Sequence, residues 1–394
     1  MISDRIRQIT PSQTLELNSK IARLRKEGKN IIALNSGEPD FNTPAPIIQA
    51  ACQAMLDGKT KYTQTPGIPE LREAIARKLL RENKVAYEAD EILVSTGAKY
   101  ALTNTFLTLC NPGDQVIIPT PCWVSYVEMV KLAGAVPVLI PVQEDNRLDL
   151  QALEAAITAK TRVILINSPN NPTGAVYTEE SLRTVARLAL DHDLMLVTDE
   201  VYEKLIYGDT AHVSMASFSP EIRERTITIN AFSKAYAMTG WRLGYAAGPR
   251  SIIRGLSAIQ GHTTSNATSF AQWAAITALE SCDREVEVMR QAFQERRDYL
   301  YGRVSALPGV RCPFPDGAFY LFPDVTDLFG RRTGDRVIED ASALADYLLD
   351  EAGVALVPGG AFEAPHAIRL TYSNSMDNLI EAMDRIEEAL DRLV

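Results

Sequence analysis

Arg162-Val163-Ile164-Leu165-Ile166, Leu194-Met195-Leu196-Val197-Thr198 and Thr226-Ile227-Thr228-Ile229-Asn230 are short, apolar and rich in β-branched residues. A strand with one wet face alternates apolar and polar side chains. These runs are nearly continuous, so both of their faces must be covered. Helical segments of roughly 10–15 residues separate such runs. Gln115-Val116-Ile117-Ile118 and Val136-Pro137-Val138-Leu139-Ile140 continue the pattern upstream, and Gly244-Tyr245-Ala246-Ala247-Gly248 reads as a further strand. The alternation predicts a mainly parallel sheet between two layers of helices, an α/β doubly wound core.

On the N-terminal side, residues 12–28 read as a helix, followed by a short strand, Ile31-Ile32-Ala33-Leu34-Asn35, that runs into Ser36-Gly37-Glu38-Pro39-Asp40. Helical periodicity returns around 46–57 and 69–82. Beyond about 275, a long helical stretch carries Arg290, Arg296, Arg297 and Arg303 on what reads as a polar face. Strands follow near 317–322, 354–357 and 367–371. The expected organisation is a large domain over 45–285 and a smaller α+β domain built from 1–44 and 286–394 together.

Composition narrows the function. With 394 residues the chain exceeds one ordinary domain. It is 46% hydrophobic and 23% charged, as expected for a soluble protein with a sizeable core. A net charge of −10 and a pI near 5.1 disfavour a nucleic-acid groove, though not a local cationic pocket for a small dianion. No apolar run approaches the ~18 residues of a membrane span. The start, Met1-Ile2-Ser3-Asp4-Arg5-Ile6-Arg7, lacks the apolar core of a secretory signal. Cys52, Cys110, Cys122, Cys282 and Cys312 form no C-x-x-C pair, and the four histidines have no metal-ligand spacing. Incidental thiols in a reducing cytoplasm, and no metal centre, are the expectation.

Ligands of open α/β sheets collect at the carboxyl ends of the strands, and five such ends carry suggestive residues. Ser95-Thr96-Gly97-Ala98-Lys99 opens into a helix, whose first N–H groups suit a phosphate. Neither G-x-G-x-x-G nor a Walker-type loop is present, which removes the main support for a dinucleotide or nucleotide site. Asn167-Ser168-Pro169-Asn170-Asn171-Pro172-Thr173-Gly174 follows the run at 162–166; by itself it is also an ordinary turn composition. Asp199-Glu200-Val201-Tyr202 ends the run at 194–198, where an acid could equally cap a helix. Ser233-Lys234 ends the run at 226–232, and a lysine at this edge can become a nucleophile once desolvated. Arg369 lies between Ile368 and Leu370 in an apolar strand, a costly place for a guanidinium unless it meets a carboxylate.

Together these residues resemble the class I aminotransferases of pyridoxal phosphate (PLP) fold type I, and the likeness covers nearly the whole chain. Ser36-Gly37-Glu38-Pro39-Asp40-Phe41, the 167–174 segment, Asp199-Glu200-Val201-Tyr202, the run Ser233-Lys234 through Gly240-Trp241-Arg242, and the late Arg369 stand in family order. Gly97-Ala98-Lys99 and Trp123-Val124-Ser125-Tyr126 are most similar to the bacterial aspartate aminotransferase branch.

The resemblance implies a set of roles. Lys234 would anchor PLP covalently and later carry the proton of the substrate Cα. Asp199 would pair with the pyridine nitrogen. Tyr202 and Asn171 would hydrogen-bond the phenolic oxygen, and Trp123 would stack on the ring. Gly97, Ala98, Ser233 and Arg242 would hold the phosphate, with Tyr62 reaching the phosphate of a neighbouring subunit in a homodimer with shared active sites. Arg369 would clamp the substrate α-carboxylate, assisted by Asn171, Trp123 and the backbone at Gly37. Lys99 would meet the distal carboxylate of a dicarboxylic substrate, under an N-terminal segment containing Ser12 and Thr14.

The sequence departs from the family pattern at Cys122, where an aromatic residue usually precedes the tryptophan. At Thr10 some prephenate-accepting members carry a basic residue, so prephenate use does not follow. The expected activity is transamination from aspartate to 2-oxoglutarate. Aromatic, alanine or broad donor specificity, and a PLP lyase on the same fold, remain alternatives. A non-catalytic PLP sensor and a dinucleotide-dependent dehydrogenase fit less well, the latter for want of the glycine fingerprint.

Overall fold

The computed structural model describes residues 2–11 and 13–394, with the backbone alone at 13–15. Its centre is a seven-stranded sheet of β1 (Ile92–Ser95), β2 (Gln115–Thr120), β3 (Val136–Pro141), β4 (Thr161–Asn167), β5 (Met195–Asp199), β6 (Thr226–Ala231) and β7 (Gly244–Ala247). Their order across the sheet is β1-β7-β6-β5-β4-β2-β3. β7 pairs antiparallel with both its neighbours and every other pairing is parallel, so six strands point one way and β7 alone is reversed.

The continuous apolar runs have the expected cause. Side chains alternate between faces along a strand. Val163 and Leu165 of β4 enter one buried cluster with Phe106, Tyr126 and Leu256. Ile164 and Ile166 enter another with Leu182, Val185 and Leu188. Both faces are therefore dry.

Because β1, β2, β4, β5 and β6 are parallel, the residues that follow them emerge along one edge. Gly244 of β7 completes that edge by letting backbone approach closely. A Cβ there would lie 2.5 Å from the nitrogen of Ala98 and 2.9 Å from the carbonyl oxygen of Asn230.

A second core gathers Ile32, Leu34, Phe293, Leu300, Phe319, Tyr320, Leu370 and Ile386. Ile32–Ala33 pairs in parallel with Val354–Ala355, tying the N-terminal segment to the C-terminal one. Ile368–Thr371 is the middle strand of a three-stranded antiparallel sheet, flanked by Val357–Pro358 and Tyr320–Leu321. No helix among the described residues is long and apolar enough to cross a membrane.

The helix Asp283–Ser305 differs from expectation on its arginine face. Arg297 is 5% exposed, stacks on Tyr207 and Phe314 at 4.8 and 4.4 Å, and donates to the carbonyl of Pro315 at 3.2 Å. Arg296 pairs with Asp40 at 2.7 Å, and Arg303 with Glu387 and Asp384, both at 2.8 Å. Helical spacing cannot separate a solvated arginine from one whose stem is covered by another segment.

A buried ionic cluster lies behind the turn after β5. Lys78, 2% exposed, is hydrogen-bonded to the Glu203 carboxylate and, at 2.8 Å, to Asn83. Glu200 holds His212 at 3.1 Å and Ser214 at 2.9 Å. Glu200, Glu203 and His212 lie close enough together to bind a cation, but the Lys78 ammonium already neutralises Glu203. Burial pushes the Glu203 carboxyl up, yet Lys78, His212 and Asn83 outweigh it and hold it down at about 2. Lys78→Met should cost about 3–5 kcal/mol, because it strands a buried carboxylate. Denaturant titration would read this, and a loss below about 1 kcal/mol would mean the cluster relaxes onto another cation.

Candidate active site

A cavity of about 380 Å³ opens along the carboxyl edge of the sheet. Lys234, three residues beyond Ala231 at the end of β6, points its amine there and donates to the carbonyl of Gly37. The nitrogen lies 5.8 Å from the Tyr202 ring centroid and 5.7 Å from that of Phe319. Burial, with the positive charges of Arg369 and Arg242, lowers its pKa to about 8 against partial opposition from Glu38 and Asp199. A lysine so placed is neutral far more often than one in water.

Asp199, the last residue of β5, is 3% exposed. Burial raises its carboxyl to about 6, although Tyr126 donates to it at 2.6 Å and the Val201 N–H at 3.3 Å. Asn167, its register partner on β4, donates its side-chain amide to the Asp199 carbonyl at 2.9 Å. The acid is thus held from three sides. Tyr202, three residues further on in the turn, shares a hydrogen bond of 2.8 Å with Tyr320.

Arg369 sits in the middle strand of the small sheet and is 3% exposed. It donates to the Asn171 side-chain oxygen at 3.0 Å and to the Asn35 carbonyl at 2.9 Å. Rings of Tyr320 and Phe362 lie 4.5 and 4.8 Å from the guanidinium. Among the described residues no carboxylate pairs with it, and its Nε has no acceptor. A buried cation in this state is built to receive an anion.

At the far end, Gly97 has a φ of +88° and precedes the helix Ala98–Leu109. A Cβ on Gly97 would come within 2.7 Å of the Arg242 guanidinium and displace that cation from the helix start, besides straining the backbone at this positive φ. Arg242 is fixed by donating to the Thr239 carbonyl at 2.9 Å. Lys99 lies over the Trp123 ring at 4.9 Å, and burial together with Arg242 lowers its pKa. Trp123 in turn meets Tyr126 edge to face at 5.3 Å. Arg242 and a helix N-terminus make this the end for a dianion, with Lys99 as a second cation beside it.

Of the residues expected at the site, Gly37, Ala98, Lys99, Trp123, Asn171, Asp199, Tyr202, Ser233, Lys234, Arg242 and Arg369 line this one cavity. Gly97 borders it through Arg242. Tyr62 does not line it: its side chain is 92% exposed on the surface. Ser12 and the Thr14 side chain lie outside the described residues. Asn171 and Tyr202 spend their contacts on Arg369 and Tyr320 in this structure.

Tyr126, Tyr320, Asn35 and Asn167 also line the cavity and had no assigned role. Tyr126 could have been found from its spacing, three residues past Trp123 in the first turn of a helix. Tyr320, within Ala318-Phe319-Tyr320-Leu321, looks like core sequence, and nothing local distinguishes it.

Comparison with known proteins agrees with this geometry. A family model described as aminotransferase class I and II matches residues 29–386. The chain is 46% identical over 392 residues to the aspartate aminotransferase of Geobacillus stearothermophilus, covering 99% of each. It is 43% identical over 396 residues to a probable aspartate/prephenate aminotransferase of Aquifex aeolicus, covering 100% of this chain and 99% of the relative. The solved aspartate aminotransferase of Rhizobium meliloti matches with a TM-score of 0.96 at 42% identity, covering 100% of both chains. That of Thermus thermophilus with maleate matches with a TM-score of 0.93 at 41% identity, covering 99% of both. With a sheet edge that gathers an amine, a buried acid and an unpaired arginine, and with relatives matched from end to end, the chain belongs to the class I and II aminotransferases.

Proposed function

We propose that the protein uses pyridoxal phosphate to transfer the amino group of aspartate to 2-oxoglutarate. The observation that carries this reading is Arg369, a buried cation with no carboxylate partner among the described residues, in one cavity with Lys234 and Asp199. The residues fit the cofactor at three points. A dianionic phosphate suits Gly97, Ala98, Ser233 and Arg242; a protonated pyridine nitrogen suits Asp199; an aldehyde suits Lys234. When bound, PLP supplies an electron sink for the bond broken at the substrate Cα.

The chain's own residues do the rest. Arg369 binds the α-carboxylate as a fork, and Asn171 fixes the plane of that fork. A carboxylate held in this way leaves the substrate one rotation, with the Cα–H bond directed at the Lys234 amine. Lys234, with its pKa lowered to about 8, would take the proton from the substrate Cα and give it to the cofactor carbon that had carried the aldehyde. Asp199 stays ionised beside the cationic nitrogen, and Tyr126 holds that carboxylate in place. Trp123 closes one face of the cavity.

Lys99 would read the distal carboxylate. Lys99→Ala should lower kcat/KM for aspartate about 100-fold and for alanine less than about threefold. Equal losses on the two donors would remove Lys99 from that role. Tyr126→Phe should reduce kcat about tenfold, since a hydrogen bond to a charged group is lost with no change of shape. An unchanged kcat would mean that the Val201 N–H alone suffices to hold the carboxylate.

The active unit is proposed to be a homodimer, in which the exposed Tyr62 enters the neighbouring site. A large domain at 45–285 and a small one from 1–44 and 286–394 would hold the substrate between them. Five unpaired thiols suit a cytoplasmic location.

Half-reaction spectra test the function. Holoenzyme given aspartate alone should form oxaloacetate stoichiometrically as its absorbance moves to that of the pyridoxamine form, and 2-oxoglutarate should reverse the change. Release of ammonia or carbon dioxide without that spectral change would favour the lyase.

A further inference from the structure

We propose that Asn18 is a positioning residue for the α-carboxylate clamp, acting through Asn35 on Arg369. The inference rests on Arg369 being that clamp. Asn35 connects the two in a single residue: its carbonyl accepts from Arg369 at 2.9 Å, while its side-chain amide donates to the Asn18 side-chain oxygen at 2.7 Å. Asn18 and Asn35 both line the cavity with Arg369.

The guanidinium has two fixed points, and they are built differently. Asn171 is braced from behind, its N–H donating to Asn167 at 2.9 Å, with Asn167 itself bonded to the Asp199 backbone. Asn35 has no comparable brace along the main chain. Residue 34 is stitched on both sides, to Ala355 and to Thr371, each at 2.9 Å. Immediately beyond it, Ser36-Gly37-Glu38 turns along the cavity. The orientation of the Asn35 carbonyl therefore depends on where its own side chain is tethered. Asn35 is 4% exposed, so without Asn18 its amide loses an acceptor, and the main chain at Asn35, no longer tethered through its side chain, is freer to turn its carbonyl away from Arg369.

Asn18 does little to seat its own helix. The helix Gln13–Lys26 packs through Leu17, Ile21 and Leu24 against Ile31, Leu349 and Ala355. It is also held by Lys20 on Asp346 at 2.7 Å and Arg25 on the Ile31 carbonyl at 2.8 Å. Truncating Asn18 leaves all of these contacts.

The test is steady-state kinetics on Asn18→Ala and Asn18→Gln holoenzymes, with melting temperatures alongside. Asn18→Ala should raise KM for aspartate and for 2-oxoglutarate alike, each about tenfold, because both carry the clamped carboxylate; kcat should stay within about twofold and the melting temperature should fall by no more than a few degrees. Asn18→Gln, which can still present an amide oxygen, should recover most of the affinity. Unchanged KM values in Asn18→Ala, a loss confined to kcat, or a glutamine no better than alanine would each overturn the proposal. Arg369→Lys in the same assay separates the two levels. If it raises KM and Asn18→Ala does not, only the role of Asn18 falls; if neither changes KM, the clamp reading falls first.

Discussion

Lys234→Ala protein is expected to bind pyridoxal phosphate without a borohydride-fixable linkage and to lose turnover by at least about 10⁴-fold. Two functions disappear together, the covalent anchor and the proton carrier, and among the described residues no other amine is placed to replace them. Lys99 is the other lysine lining the cavity, and it lies over Trp123 beside the cationic end. Folding should be unaffected, because the Lys234 amine makes its hydrogen bond to a backbone carbonyl on a turn rather than to a buried charge. A retained covalent adduct would identify another lysine as the anchor.

The same amine carries a pH signature. It must be neutral to attack an aldehyde, and its pKa is lowered to about 8. At pH 7 roughly a tenth of such amines are neutral, against about one in 3,000 for an ordinary lysine. Capture of the cofactor by apoprotein should therefore accelerate as pH rises through about 8 and then level off. A rate still climbing at pH 10 would mean that the cavity does not lower the lysine pKa.

Asp199→Asn should reduce kcat by about 10³-fold while changing the affinity for substrate carboxylates little. The substitution is isosteric: its oxygen can keep the Val201 N–H, and its amide NH2 can donate to the Tyr126 hydroxyl, which now accepts, so the turn after β5 should keep its shape. What it removes is the negative charge opposite the pyridine nitrogen. Without that charge the ring is a poorer sink for the Cα electrons. A cofactor analogue with a permanent positive charge on that nitrogen should recover part of the rate. If it recovers none, the loss is one of geometry and Asp199 is a structural residue.

Much of this was legible locally. Apolar runs at 162–166, 194–198 and 226–230 are two-faced strands, and they became β4, β5 and β6 in parallel. Once a sheet is parallel, whatever follows each strand must emerge at the same edge. That makes Asn171, Asp199 and Lys234 candidates from their position along the chain alone. The helices at 45–56 and 69–78 were also readable from periodicity.

Contacts between distant segments were not legible. Arg297 has the spacing of a solvated arginine on Asp283–Ser305, yet Phe314 and Tyr207 cover it. Tyr320 looks like core sequence but supplies the hydroxyl that pairs with Tyr202 across 118 positions. Tyr126 and Asp199 are 73 residues apart, and the link from Asn18 through Asn35 to Arg369 crosses the whole chain.

By itself the sequence determined which strands form, that they run mainly in parallel, and which polar residues stand at their ends, because these depend on side-chain periodicity over a few neighbours. Only the tertiary structure decided that Arg369 is buried without a carboxylate, that Asp199 is held by a tyrosine, and that Tyr62 stays outside the cavity of its own chain. Burial and partnership depend on where separate segments meet, and that is settled by packing the whole chain at once.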